Sequence, residues 1–305
     1  MFDVLCLSDC CCDLIFQGLP ALPAPGEEQY CASFALRAGG GANTPMGLAI
    51  LGSRVGYAAA LGTDILGDVV LEQLRRAGVG EQWIRRIPGG RTWVSAALST
   101  QAERSFASFA GDSAAYTERE VQEMLAQTRW LHTYSWYAQK YPALLACCQQ
   151  AGVPVSLDLT YDPAQTLDSL APLLSQAALM TPNREEALAL TGCTTVSGAL
   201  RALAAVCPGV VITLGAEGCA AWLDGHAYIA HPPAVKAVDA TGAGDLFNAG
   251  LLYARSQGWS AEEQLRVACA SGAAAVGCLG GVDEGYTRER VMHLVREVRI
   301  EKWEK

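Results

Sequence analysis

Asp239-Ala240-Thr241-Gly242-Ala243-Gly244-Asp245 runs straight into the apolar stretch Leu246–Arg255. Small residues ahead of a helix let backbone N–H groups crowd toward a ligand. The helix start adds about half a positive charge, so this turn is built to hold an anion. Asp245 closes the turn, where a carboxylate can also take a proton. An acid in that place is favoured by the helix dipole alone, so the segment by itself admits an ordinary helix start as well as a site.

Outward from this turn the chain alternates short apolar runs with longer helical patterns, which predicts a mostly parallel sheet sandwiched by helices. Val4–Leu7, Val153–Leu157 and Val210–Leu214 read as buried strands. Asn43–Leu51 reads as a helix whose Pro45 falls in the first turn, where a missing N–H is harmless. Asp68–Arg76 is amphipathic and ends at Gly78, and the last quarter reads as the helices Asp245–Ser256, Ala261–Leu279 and Arg288–Val298. Gln29–Arg37 and Trp93–Ala110 mix small, aromatic and polar residues in alternation and read as strands outside the main sheet. They form a flap over about residues 15–37 and 91–112 of one domain covering 1–305.

The chain has 305 residues, of which 51% are hydrophobic, enough for a substantial core and incompatible with a disordered or fibrous chain. Charge, proline or glycine breaks every apolar run, including Ala202–Ala216 and Val267–Val282, before the roughly 20 residues of a membrane span. The N-terminus shows no basic segment, and Asp9 and Asp13 interrupt its apolar run, so we expect a cytoplasmic protein. Thirty-one acidic against 22 basic residues leave a net charge of −9, which argues against nucleic-acid or anionic-lipid partners. The 12 cysteines are expected to be free thiols. Within Cys10-Cys11-Cys12, neighbours on an extended segment point to opposite faces and no C-x-x-C pair completes a tetrahedral site, so packing is favoured over metal binding. His132, His226, His231 and His293 are scattered without ligand spacing, and the chain has neither a G-x-G-x-x-G strand-to-helix joint nor a G-x-x-x-x-G-K-[ST] loop.

The 239–245 motif resembles the second signature of the PfkB (ribokinase-like) family of carbohydrate kinases, and similarity to that family continues along nearly the whole chain. Ser8-Asp9 through Asp13, then Pro23-Ala24-Pro25-Gly26-Glu27, resemble its opening strand, sugar-contacting aspartate and following turn. Gly39-Gly40-Gly41-Ala42-Asn43, Leu51-Gly52 and Leu61 through Gly67 are similar to its first signature, and Glu103-Arg104-Ser105-Phe106 to its lid strand. Asn183-Arg184-Glu185-Glu186 resembles its metal-side motif, and Thr213-Leu214-Gly215-Ala216-Glu217-Gly218 its nucleotide-side motif. The chain departs from the pattern at Ser8, Ala38 and Ala240.

The resemblance implies a ribokinase-like fold with a β lid and an ATP- and Mg²⁺-dependent kinase acting on a hydroxyl of a sugar-like molecule. Asp245 is implied as the base, with Gly242, Ala243 and Gly244 as the anion hole. Asp13, Gly39, Gly40, Asn43 and Arg104 are implied on the acceptor side, and Asn183, Glu186, Thr213, Gly215, Gly218 and Thr241 on the nucleotide side. Glu186 would act on the metal through water, and a monovalent cation such as K⁺ would sit beside Asp239. Asn183 and Glu186 also have the spacing of a capping box, which is compatible with that role. A nucleoside or pyridoxal-type kinase, and a noncatalytic sugar or nucleoside sensor, remain alternatives on the same fold. A lid with an apolar outer face implies a homodimer through the lids.

Overall fold

The computed structural model describes residues 1–100, 103–113, 115–160 and 162–303. Gln101 and Ala102, inside the expected flap, and Ala114, Tyr161, Glu304 and Lys305, inside the expected domain, lie outside the described residues.

A ten-stranded sheet carries the architecture. It runs from the edge strand Arg299–Trp303 through His226–His231, Cys219–Leu223, Val210–Thr213, Leu179–Thr181, Val155–Asp158, Leu131–Tyr134, Val4–Leu7 and Val55–Gly62 to Ile84–Ile87. From Val210–Thr213 across to Ile84–Ile87 every pairing is parallel, and the remaining three pairings are antiparallel. The first strand shows why both faces need helices. Val4 and Cys6 enter one core with Asn43–Leu51, Ile65–Ala77, Ala243–Ser256 and Ala261–Val276. Leu5 and Leu7 enter another with Glu118–Leu125, Ala143–Ala151, Leu167–Leu174 and Val196–Ala204. A strand apolar on both faces belongs inside a parallel sheet covered on both sides.

The expected elements stand, with shifted ends. The helix expected over Asp68–Arg76 spans Ile65–Ala77, because the Asp64 side chain accepts from Gly67 N at 2.8 Å and caps it one turn earlier. The expected Arg288–Val298 helix keeps α geometry only over Arg288–Leu294 and tightens to a 3₁₀ turn at Val295–Glu297. Ala261–Leu279 stops at Val276, before the left-handed glycines Gly280 and Gly281. Asp245–Ser256 starts two residues earlier, at Ala243. Strands expected at Val153–Leu157 and Val210–Leu214 lie at Val155–Asp158 and Val210–Thr213.

The flap is a separate four-stranded sheet, ordered Ser33–Gly40, Cys10–Gln17, Trp93–Ser99, Arg104–Phe109. Gln29–Arg37 is displaced toward Gly40, and Trp93–Ala110 is a hairpin of two strands. Cys10–Gln17 was not singled out as one of its strands, because three cysteines carry little strand signal. Its pleat sorts the cysteines: Cys10 and Cys12 are buried in the core, while Cys11 shares a face with Asp13.

Candidate active site

The helix Ala243–Ser256 opens at Gly242, whose φ of +72° is left-handed and whose Cβ, if present, would stand 2.9 Å from Asn43 Nδ2. Both constraints require glycine. The first N–H groups of a helix have no intrahelical carbonyl. That of Ala243 turns back to the Ala240 carbonyl at 3.3 Å, and those of Gly244 and Asp245 follow at the helix mouth.

Two cavities meet at this helix start. One, of about 300 Å³, is lined by Asp9, Cys11, Gly40, Trp93, Tyr134 and Asp245 among others. The other, of about 610 Å³, is lined by Thr213, Gly215, Gly218, Ala243, Gly244 and Phe247 among others. Asp245 therefore faces one cavity from the turn whose preceding two residues face the other.

The Asp245 carboxylate is held from both sides: Tyr134 donates its hydroxyl to Oδ1 at 2.8 Å, and Asn43 Nδ2 donates to Oδ2 at 3.3 Å. Thr44 Oγ1 donates to the Asp245 carbonyl at 3.2 Å and ties the two helix starts together. Burial pushes the Asp245 carboxyl up to about 6, against the pull of the Tyr134 and Asn43 hydrogen bonds. That places a proton acceptor close to neutral pH.

Asp13 lies on Cys10–Gln17, and Gly39 on the neighbouring strand makes room for it: a Cβ on Gly39 would lie 1.9 Å from Asp13 Oδ2. Cys11 Sγ donates to Asp13 Oδ1 at 3.1 Å. Burial holds the Asp13 carboxyl above its ordinary range, with Asp239 adding to the effect. Asp9 is likewise raised by burial, offset by Lys140, whose Nζ lies 3.9 Å from Asp9 Oδ2. Among the described residues, the buried Trp93 Nε1 and Asn43 Oδ1 have no hydrogen-bond partner. The unmatched Trp93 donor lies on the smaller cavity, where it suits a ligand that offers a hydroxyl oxygen.

On the other side, Asn183 and Glu186 form the capping box of Arg184–Thr191. Glu186 Oε2 accepts from Asn183 N at 2.7 Å, and Asn183 Oδ1 accepts from Glu186 N at 2.9 Å. Thr213 N bonds the Pro182 carbonyl at 2.9 Å, bringing the two nucleotide-side motifs together. Gly215 and Gly218 have φ of +61° and +103°, and a Cβ on Gly218 would lie 1.9 Å from the Ala230 carbonyl oxygen.

Of the expected residues, Gly40, Asp245, Thr213, Gly215, Gly218, Ala243 and Gly244 line the two cavities; Asp13, Gly39, Asn43, Asn183, Glu186, Thr241 and Gly242 stand outside both linings, and so does Arg104. Arg104 Nη1 donates to Thr241 Oγ1 at 2.6 Å and its Nη2 to Asp239 Oδ1. Asp239 Oδ1 also accepts from Thr241 N at 2.9 Å and Thr241 Oγ1 at 2.8 Å, and its Oδ2 from Gly280 N at 3.0 Å. All these partners are donors. A metal ion needs lone pairs turned toward it, so this arrangement at Asp239 does not fit a monovalent cation.

Sequence reasoning missed Asp9, Trp93, Tyr134 and Asp158. Tyr134 and Asp158 sit at the carboxyl ends of parallel strands, where ligands of such sheets bind, and that rule was the available signal. Asp158 is pushed well above its ordinary range by burial and by the charges of Asp245 and Glu186, while Asn248 donates to its Oδ2 at 2.9 Å.

Comparison with known proteins matches the description "pfkB family carbohydrate kinase" to residues 1–285. The chain belongs to this family. It is an ATP-dependent phosphotransferase with an alcohol group as acceptor. The kinase is 28% identical to a ribokinase of Haemophilus influenzae over 291 residues, covering 91% of this chain and 93% of the relative. It is 33% identical to a fructokinase of Klebsiella pneumoniae over 232 residues, covering 70% of this chain and 75% of that one. Its fold matches the structure of Arabidopsis thaliana ribokinase complexed with ribose and ATP. The TM-score is 0.83, with 24% identity and coverage of 96% of this chain and 98% of the other.

Proposed function

We propose that this kinase transfers the γ-phosphoryl group of ATP to a hydroxyl of a sugar or sugar-like small molecule. The observation that carries the reading is the buried Asp245 carboxylate at the joint of the two cavities. The acceptor hydroxyl enters the smaller cavity and gives its proton to Asp245, whose raised carboxyl is still ionised at pH 7. Backbone N–H groups of Gly242, Gly244 and Asp245 receive the charge on the phosphoryl oxygens, while that of Ala243 is bonded to the Ala240 carbonyl. Asp13, Gly39, Gly40 and Asn43 position the acceptor, and Thr213, Gly215, Gly218 and Thr241 border the nucleotide. Mg²⁺ suits the hard oxygen donors of Glu186 and Asp158, whose charges act on each other, and when bound it would neutralise the nucleotide phosphates. Among the described residues no three His, Cys, Asp or Glu side chains converge to hold a metal, and a nucleotide-bound Mg²⁺ keeps several waters.

We read residues 1–305 as one domain, with the small sheet as its lid, working in the cytoplasm with reduced cysteines. Among the described residues no single helix is long and apolar enough to cross a membrane. Register places Phe16, Phe34, Val94, Leu98 and Phe109 on the lid face opposite Asp13, with Phe34 52% and Phe109 41% exposed. That apolar face supports a homodimer through the lids. A second acceptor class, a nucleoside or pyridoxal-type alcohol, draws support from the rings of Trp93, Tyr134 and Trp136 around the acceptor cavity.

The test is ADP release with ATP, Mg²⁺ and a panel of neutral sugars, sugar acids, sugar phosphates, nucleosides and pyridoxal. Turnover on neutral sugars, with Asp13→Ala raising their KM far more than that of ATP, supports the reading. Turnover on nucleosides alone favours the second class.

A further inference from the structure

Asp239 is 5% exposed, and its carboxylate lies in the loop that leads into the phosphate-holding helix start. Left uncompensated, a buried charge there is costly and repels the incoming nucleotide. The only salt bridge recorded to it among the described residues comes from Arg104, on the edge strand Arg104–Phe109 of the lid. One guanidinium reaches both Asp239 and Thr241, so it fixes their relative position as well as supplying charge, which a point cation does less well.

We propose that Arg104 is a built-in replacement for a bound monovalent cation: delivered by the lid, it neutralises Asp239 and sets the loop Asp239–Gly242, so that catalysis needs no K⁺. This rests on the phosphate-holding role given to Gly242–Asp245. Arg104 is thus a positioning residue, acting on phosphoryl transfer through Asp239 and Thr241 rather than on the acceptor. Because the same sheet carries Asp13, this contact also ties the acceptor side to the phosphate site.

The test compares KCl with tetramethylammonium chloride at matched ionic strength. Wild-type kcat is expected to agree within about twofold between the two salts, whereas Arg104→Ala should lose on the order of tenfold in kcat and regain part of it in KCl alone. Thermal unfolding gives a readout independent of turnover: KCl should raise the Tm of Arg104→Ala over its value in the organic salt and leave the wild-type difference at zero. Arg104→Lys, which keeps the charge, should stay insensitive to K⁺ and serves if the alanine variant does not fold. A wild-type enzyme that requires K⁺ overturns the proposal. So does an Arg104→Ala enzyme whose only change is a higher acceptor KM, or a folded variant whose Tm ignores K⁺. Absence of kinase activity in every salt would count against the phosphate-site reading instead, while the Tm comparison still decides the cation question.

Discussion

At the scale of single residues, Asp245 concentrates the chemistry. Its carboxyl titrates near 6 in the folded chain against an ordinary 3.8, so the native state binds more protons between those values. Two outcomes follow from that one shift. The kcat/KM profile should rise with pH and level off above about 6, and Asp245→Asn should abolish this acid limb while lowering kcat by about 10²–10⁴. Stability should fall as pH rises through the same window and stay flat above it, because the buried carboxylate is charged at the higher pH. Asp245→Asn, with no charge to bury, should therefore melt higher than wild type at pH 7.5, with the difference shrinking toward pH 4; calorimetry across pH checks the sign. A variant that melts lower at pH 7.5 would mean that the Tyr134 and Asn43 hydrogen bonds outweigh the desolvation. The sequence makes Asp245 legible through its glycine turn. It does not reveal Tyr134, 111 positions away, which holds the carboxylate.

At the scale of elements, glycines decide where functional side chains can lie. A methyl group on Gly39 would occupy the space of the Asp13 carboxylate, 1.9 Å from Oδ2, so Gly39→Ala must push Asp13 aside or bend the strand. The expected outcome is an acceptor KM raised on the order of tenfold with the ATP KM nearly unchanged, measured by initial rates. An equal rise in both would show that the damage had spread to the helix start. Gly242→Ala meets both a left-handed φ and Asn43 Nδ2, and should cost about 1–3 kcal/mol in denaturant unfolding besides weakening ATP. Some helices advertise their ends, as Asp64 and Gly78 do for Ile65–Ala77 and Asn183 and Gly192 for Arg184–Thr191, while Glu118–Leu125, Ala143–Ala151, Leu167–Leu174 and Val196–Ala204 emerge only from the structure. Cys10–Gln17 has no such signal. Its assignment depends on pairing with Ser33–Gly40 and Trp93–Ser99, which are remote in sequence.

At the scale of the whole molecule, one face of the lid borders the smaller cavity through Cys11 and Trp93, while the other is packed into the core at Cys10 and Cys12 and carries Phe16, Phe34 and Phe109 further out. Phe16 and Phe34 pack on that second face with ring centroids 5.0 Å apart, and exposed Phe109 lies on the same face two strands from Phe16, opposite Val94. If two lids meet there, sedimentation at micromolar concentration should give a dimer. Phe34→Asp should shift it to monomer without loss of secondary structure. A wild-type monomer would reject the interface outright. The position of Arg104 also belongs to this scale, since it joins the lid to a loop 135 residues further along the chain.

The sequence by itself determined the sandwiched parallel sheet, the glycine turn before Asp245, the helix caps and the kinase motifs. These are local: hydrophobic period, cap chemistry and backbone freedom act within a few residues. Only the tertiary structure decided that Arg104 is bonded to Asp239, that Trp93 and Tyr134 wall the smaller cavity, and that Asp158 feels the charges of Asp245 and Glu186. The physical reason is range. Burial and charge proximity depend on which strands lie side by side, and strand order in a parallel sheet is set by long crossovers whose partners a linear pattern does not encode.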